Sequence, residues 1–151
     1  MGESGGKCMF LGTFEHSIDT KGRLTLPSKF RGKMDATVFL SRGFEGSLEI
    51  RNEQEFSMWK QELELLEPFK KDTRALMRYI FSNSADLEID AAGRIKIPTN
   101  LLAVAKIEKE VYILGVGSKI EIWDKTSYDQ YEQDNFSDIE AIAEKIDNVG
   151  G

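Results

Sequence analysis

An aspartate stands four residues ahead of an arginine at two places in this chain, in the same frame. Residues 18–27 read IDTKGRLTLP, and residues 89–98 read IDAAGRIKIP. Ile, Asp, Gly, Arg and Pro recur at matching positions, and the Leu pair of the first copy becomes an Ile pair in the second. A carboxylate four residues away across a turn can orient a guanidinium. Turn chemistry explains the rest of the phrase. Gly22 and Gly93 supply positive φ, Asp19 and Asp90 accept backbone N–H groups of the turn, and Pro27 and Pro98 withhold a donor and stop the strand. None of this requires an arginine. Around Arg23 stand Lys21 on the turn and Lys29, Arg31 and Lys33 beyond Pro27, so residues 17–33 carry a local charge of +4. A two-stranded ribbon can enter a major groove, where arginine is the commonest reader of guanine N7 and O6. Lysines alongside would neutralise phosphates. In residues 88–104, Arg94 and Lys96 are balanced by Glu88 and Asp90. Composition therefore favours the first copy as a nucleic-acid reader and leaves Arg94 as its structural twin.

The elements that must position these residues repeat as well. In RLTLP, Leu24 and Leu26 face one way while Arg23 and Thr25 face the other. In the second copy Ile95 and Ile97 go inward, and Arg94 and Lys96 outward. After each phrase comes a short helical stretch, SKFRGKM or TNLLAVA, and then an apolar strand, VFL at 38–40 or VYIL at 111–114. A Gly-containing turn leads to LEI at 48–50 or IEI at 120–122, followed by an N-cap, Asn52 or Asp124. Phe56 and Trp59 align with Tyr128 and Tyr131 on the apolar face of the helix that follows. Two copies fall short of the roughly three a solenoid needs. They suggest a pseudo-twofold barrel or sandwich in which each half completes the other.

Between the units, Phe56, Trp59, Leu63 and Leu66 keep a helical spacing that Pro68 ends. A second helix starts at Asp72, with Leu76, Tyr79 and Ile80 inward. Ser137 and Glu140 read as a capping box ahead of an apolar stripe of Ile139, Ile142 and Ile146. The stripes read as packing, in the core or against another subunit. The chain thus divides into a leader or extension at 1–8 ahead of Met9, a first repeat at 9–60 and linking helices at 61–80. A second repeat at 81–132 and an acidic C-terminal helix and tail at 133–151 complete it.

Bulk composition narrows the function. The 151 residues are 40% hydrophobic and 30% charged, an ordinary globular composition. No run approaches the roughly 20 apolar residues of a membrane span. A single cysteine excludes an internal disulfide framework and fits a reducing cytosol. One histidine leaves little for a zinc site. The formal net charge is −6, and residues 121–147 alone carry −7, so the acidic tail accounts for the negative balance. An enzyme is disfavoured. His16 is the sole imidazole, no Ser or Cys has an evident base, Glu15 and Asp19 read as strand and turn surface, and no phosphate-cradling Gly-rich loop precedes a helix.

At these residues the chain resembles a known family. MFLGTFEHSIDTKGRLTLPSKFR is similar to the opening of MraZ bacterial transcriptional regulators. FSNSADLEIDAAGRIKIPTNLL followed by KEVYILGVGSKIEIW resembles their second repeat. The likeness runs from Met9 to about Tyr131. It implies an α+β, mainly β fold, a double-split β-barrel from two pseudo-twofold AbrB-like repeats with packed helices. It also implies a cytoplasmic, nucleoid-associated, sequence-specific DNA-binding regulator of a division and cell-wall operon, acting on repeated upstream sites as a ring-shaped homo-oligomer. Its partners would be double-stranded DNA and further copies of itself, with no cofactor, metal, membrane or small-molecule substrate. Carried over by position, the motif falls on Asp19, Lys21 and Arg23, and on Asp90 and Arg94. With the neighbouring charges, the expected DNA-binding set is Asp19, Lys21, Arg23, Lys29, Arg31 and Lys33, and the second-repeat motif is Asp90, Arg94 and Lys96. Ala91 and Ala92 replace Thr20 and Lys21, so the second turn lacks a basic tip. The competing expectation is an AbrB-like oligomeric protein-interaction module without DNA binding, which the net charge and acidic tail favour.

Overall fold

Each unit contributes strands whose partners lie in the other unit. The computed structural model describes residues 9–146; the extension at 1–8, with Cys8, and the last five residues lie outside them. The first unit runs β1 (Phe10–Ser17), β2 (Arg23–Thr25), α1 (Ser28–Arg31), β3 (Thr37–Arg42), β4 (Leu48–Arg51) and α2 (Glu53–Glu64). Helix α3 (Lys71–Ser82) follows. The second unit runs β5 (Ser84–Glu88), β6 (Arg94–Lys96), α4 (Thr99–Val104), β7 (Glu110–Gly117), β8 (Ile120–Asp124) and α5 (Lys125–Asn135), and α6 (Ile139–Lys145) comes last.

The fold is mixed α+β, with most strands in one six-stranded antiparallel sheet of order β1-β7-β8-β4-β3-β5. Exchanging equivalent strands of the two units turns this order into its own reverse. The first strand of each unit pairs with the third strand of the other, β1 with β7 and β5 with β3. At the centre β4 meets β8, with Glu49 opposite Glu121. The remaining strands, β2 and β6, form a separate two-stranded ribbon. It lies against both outer strands of the sheet, β2 beside β1 and β6 beside β5.

Strand alternation puts Leu24, Leu26, Ile95 and Ile97 beneath the ribbon, fully buried with Phe30, Leu40, Ile50 and Ile113. Facing carboxylates at the pseudo-twofold would repel. Glu49, 3% exposed, is held instead by Arg51 Nη1 at 2.9 Å and Lys119 Nζ at 2.8 Å. The Arg51 guanidinium lies 3.6 Å above the half-buried Trp59 ring. Trp123 is a core residue whose Nε1 donates to Glu121 at 2.9 Å.

Both helix caps form at the expected places. Asn52 accepts from the Glu55 N–H at 2.9 Å, and Asp124 from the Ser127 N–H at 3.1 Å. Helix α2 stops at Glu64, short of Pro68. Leu65 and Leu66 donate to Glu62 and Leu63, a tighter turn that ends the helix early. Leu63 is buried, and Leu66 is left exposed. In α3, which begins one residue before Asp72, Ile80 is buried and Leu76 and Tyr79 are half-buried. The capping box at Ser137 and Glu140 does not form: Asp138 occupies the N-cap, without a side-chain bond. Ile139 and Ile146 of the stripe are exposed.

Candidate nucleic-acid interface

The Asp–Arg turn is built the same way twice. The Asp19 carbonyl accepts from the Gly22 N–H at 3.0 Å, and Asp19 Oδ1 accepts from the N–H groups of Lys21 at 2.9 Å and Arg23 at 2.8 Å. Its second oxygen, Oδ2, accepts from Arg23 Nε at 2.7 Å. In the other copy Asp90 Oδ1 accepts from the N–H groups of Ala92 and Arg94, both at 2.9 Å, and Oδ2 accepts from Arg94 Nε at 2.8 Å. Gly22 and Gly93 close the turns at φ 79° and 81°, a region only glycine enters without strain. The Arg23 backbone N–H is the main reason that the Asp19 carboxyl is lowered to about 2, with its side chain and the Lys21 N–H adding to the effect against desolvation. Asp90 is lowered for the same reasons, the Arg94 N–H first.

This arrangement tethers each guanidinium by Nε and leaves its far end open. Among the described residues, the terminal nitrogens of Arg23 and Arg94 make no hydrogen bond within the chain. Both side chains are about one-third exposed. An open, pre-oriented fork is suited to planar acceptors such as a carboxylate, a phosphate or a guanine edge.

Ribbon register then joins the two copies. Arg23 lies opposite Lys96, Leu24 opposite Ile95, and Thr25 opposite Arg94. With Leu24 and Ile95 buried, the outer face carries Arg23, Thr25, Arg94 and Lys96 together. The second-repeat motif thus stands beside the first: Arg94 and Lys96 share a face with Arg23. Among the described residues, no group of three His, Cys, Asp or Glu could hold a metal ion, and no helix is long and apolar enough to cross a membrane.

A family model described as the MraZ protein, antitoxin-like, matches residues 9–79 and again residues 80–149. The chain belongs to the MraZ family. Among its relatives, the transcriptional regulator MraZ of Mesoplasma florum is 53% identical over 139 residues, covering 91% of this chain and 95% of the relative. That of Mycoplasmoides gallisepticum is 42% identical, covering 93% and 99%, and that of Acetivibrio thermocellus 40% identical, covering 94% and 99%. Each matched segment contributes one Asp–Arg turn, and this chain folds the two into one ribbon.

The basic shoulder divides. Lys21 on the turn and Lys29 on α1 are exposed. Arg31 is half-buried over the second turn, its Nη1 donating to the Ala92 carbonyl at 3.4 Å and its guanidinium filling the space beside Gly93. Lys33 turns to the start of β1, where Nζ donates to the Met9 carbonyl at 2.5 Å. The signal for the shared ribbon was present in the sequence: two copies of one alternating strand can pair about a twofold axis and present the same face.

Proposed function

We propose that this MraZ-family chain is a sequence-specific DNA-binding transcriptional regulator that presents the outer face of the β2–β6 ribbon to the major groove. The observation that carries this reading is the pair of Asp-tethered arginines with open forks, on one ribbon face beside Lys96 and Lys21. Arg23 and Arg94 read base edges, and Lys21, Lys29 and Lys96 grip phosphates. The name shared by the relatives, transcriptional regulator, supports the same conclusion. Contact of the ribbon with both outer strands supports closure as a double-split β-barrel of two AbrB-like halves. A DNA-bound role places the protein on the nucleoid in the cytoplasm, acting on repeated sites upstream of a division and cell-wall operon.

One ribbon is a small contact, and single modules rarely suffice for tight specific binding. We therefore propose a ring of copies joined head to tail. A groove of about 430 Å³ between α2 and α3 is lined by Leu63, Leu66, Pro68 and Met77 with Arg74, Arg78 and Glu64, whose carboxylate is paired with Lys60 at 2.9 Å. Its occupant is α6 of a second copy, which offers Ile139, Ile142 and Ile146 beside Glu140 and Glu144. Unlike surfaces that meet in this way form a ring when the rotation from copy to copy closes.

The test is fluorescence anisotropy of labelled DNA from upstream of the protein's own operon, compared with scrambled DNA across a salt series. Selective binding that weakens steeply with salt and is lost in Arg23→Ala is the expected result. The exposed apolar side chains also favour an interaction module without DNA binding. That reading wins if neither DNA binds at low salt.

A further inference from the structure

Beside the ribbon, β1, the end of β2 and α1 border a recess of about 290 Å³ whose polar lining is His16, Thr25, Ser28, Lys29 and Arg31. The pseudo-twofold provides an internal comparison. With Asp19 aligned on Asp90, positions 16, 29 and 31 correspond to Leu87, Asn100 and Leu102. Leu102 packs against the hydrophobic core and reaches Gly22, much as Arg31 reaches Gly93. The fold therefore accepts a hydrocarbon where Arg31 stands, and nothing in it demands a lysine at 29.

Keeping Arg31 is costly. Its Nε is buried without a hydrogen-bond partner, and its one bond, to the Ala92 carbonyl, is long at 3.4 Å. Among the described residues, neither Lys29 nor Arg31 has a carboxylate within ion-pair distance. The recess thus gathers two uncompensated cations, two hydroxyls and an imidazole. That is the donor set of a tetrahedral oxyanion site.

We infer that this recess seats one backbone phosphate of the bound DNA, next to the bases that Thr25 and Arg94 face. The inference rests on the DNA-binding reading of the ribbon. Lys29 and Arg31 supply charge, and His16 and Ser28 supply hydrogen bonds. Such a contact fixes the register of the ribbon on the duplex and carries no sequence information. Because the equivalent positions of the second unit lack the cations, the seat is one-sided. It gives a nearly twofold ribbon a direction on the DNA.

The test uses the full chain, free of any affinity tag, and duplex DNA from upstream of its own operon. Phosphates are replaced one at a time by uncharged methylphosphonates. His16 is the only histidine, so its imidazole resonances are assigned without ambiguity. One position per site is expected to weaken wild-type binding several-fold when neutralised, and the His16 resonances are expected to move on intact DNA but not on DNA neutralised there. The double variant Lys29→Asn, Arg31→Leu installs residues that the second unit already carries. It should melt like wild type, lose affinity for native and scrambled DNA alike, and become indifferent to that phosphate. Its log–log salt slope should fall by about 0.9 per bound subunit. Suppose that no phosphate distinguishes wild type from the double variant and the His16 signals stay put. If wild type still prefers native DNA and Arg23→Ala abolishes the preference, the seat is refuted and the ribbon reading stands. If wild type binds neither DNA, the ribbon reading falls and the seat falls with it. The methylphosphonate scan on wild type decides the matter even if the variant folds poorly.

Discussion

Arg23 Nε sits 2.7 Å from Asp19 Oδ2, with both side chains partly in water. Surface ion pairs of this kind contribute little to stability, so the pair is better understood as an orienting device. Arg23→Lys separates charge from geometry. It keeps the positive charge, and therefore the salt slope, but loses the planar fork. Anisotropy should show the preference for native over scrambled DNA falling by about 1–3 kcal/mol, roughly 5- to 150-fold, with the slope unchanged. An unchanged preference would remove Arg23 from base reading. The carboxylate makes a second prediction. Asp19 is lowered to about 2, against about 3.9 in an unfolded chain. The folded value is the depressed one, so the contribution of Asp19 to stability is complete above about pH 4 and is lost as pH falls through about 2. Carboxyl carbon NMR should place its midpoint near 2. In Arg23→Ala the midpoint should return only part of the way, because the leading cause is the backbone N–H of residue 23, which alanine retains. A wild-type midpoint at the ordinary value would mean that the turn bonds are absent in solution.

Strand exchange is the decision made at the level of elements. Within a unit only the hairpins β3–β4 and β7–β8 pair; β1, β2, β5 and β6 find their partners in the other unit, and so does the β4–β8 seam. A polypeptide of residues 9–80 should therefore fold only by pairing with another copy, and its thermal midpoint should rise with concentration by circular dichroism. A midpoint independent of concentration, at a monomer mass, would contradict this topology. The central strands carry a sharper test. Glu49 is buried and shared between Arg51 and Lys119. Arg51→Met leaves the carboxylate with only the partly exposed lysine. The cost should lie near the lower end of the ~3–5 kcal/mol typical of a broken buried pair, read by urea unfolding at neutral pH. What could be read from the sequence at this scale was whatever is settled within about four residues. The Asp–Gly turns, the caps at Asn52 and Asp124, and the alternation that buries Leu24 and Ile95 are all of that kind. Pairing of Arg23 with Lys96 joins residues more than one repeat apart, so no local pattern sets it: the duplicated alternating strand permits a shared arginine face, and the topology makes it. The early end of α2 escaped for a different reason: Pro68 marks a place a helix cannot pass, while the tighter turn at Leu65 and Leu66 had already ended it. At α6, Asp138 and Ser137 are both competent caps by type, and composition does not choose between them.

Across the whole molecule, a net charge of −6 opposes DNA, and only the separation of charges makes binding reasonable. The cations cluster on the ribbon and α1, while α5 and α6 carry the acids, so a head-to-tail assembly can bury part of the acidic surface and leave the ribbons outward. The corner between α2 and α3 is where that contact should be tested. Leu65 and Phe69 there are 86% and 85% exposed, and neither contributes to the core of one chain. Leu65→Glu with Phe69→Glu should therefore leave the melting temperature of the isolated chain nearly unchanged. The same change places two carboxylates where the proposed neighbour brings Glu140 and Glu144, so the contact loses apolar area and gains repulsion. Light scattering after size exclusion should show wild type as a ring and the double variant close to 17.1 kDa. Linkage through the ring can raise binding to tandem sites by about 10²–10⁴-fold over one site without any new contact. The variant should lose that gain and keep its weak affinity for a single site, since its ribbon is untouched. A variant that retains the full ring mass would show that the ring is built from another surface. A variant that becomes monomeric yet binds tandem sites as tightly as wild type would show that one ribbon suffices, and the argument from avidity would fail.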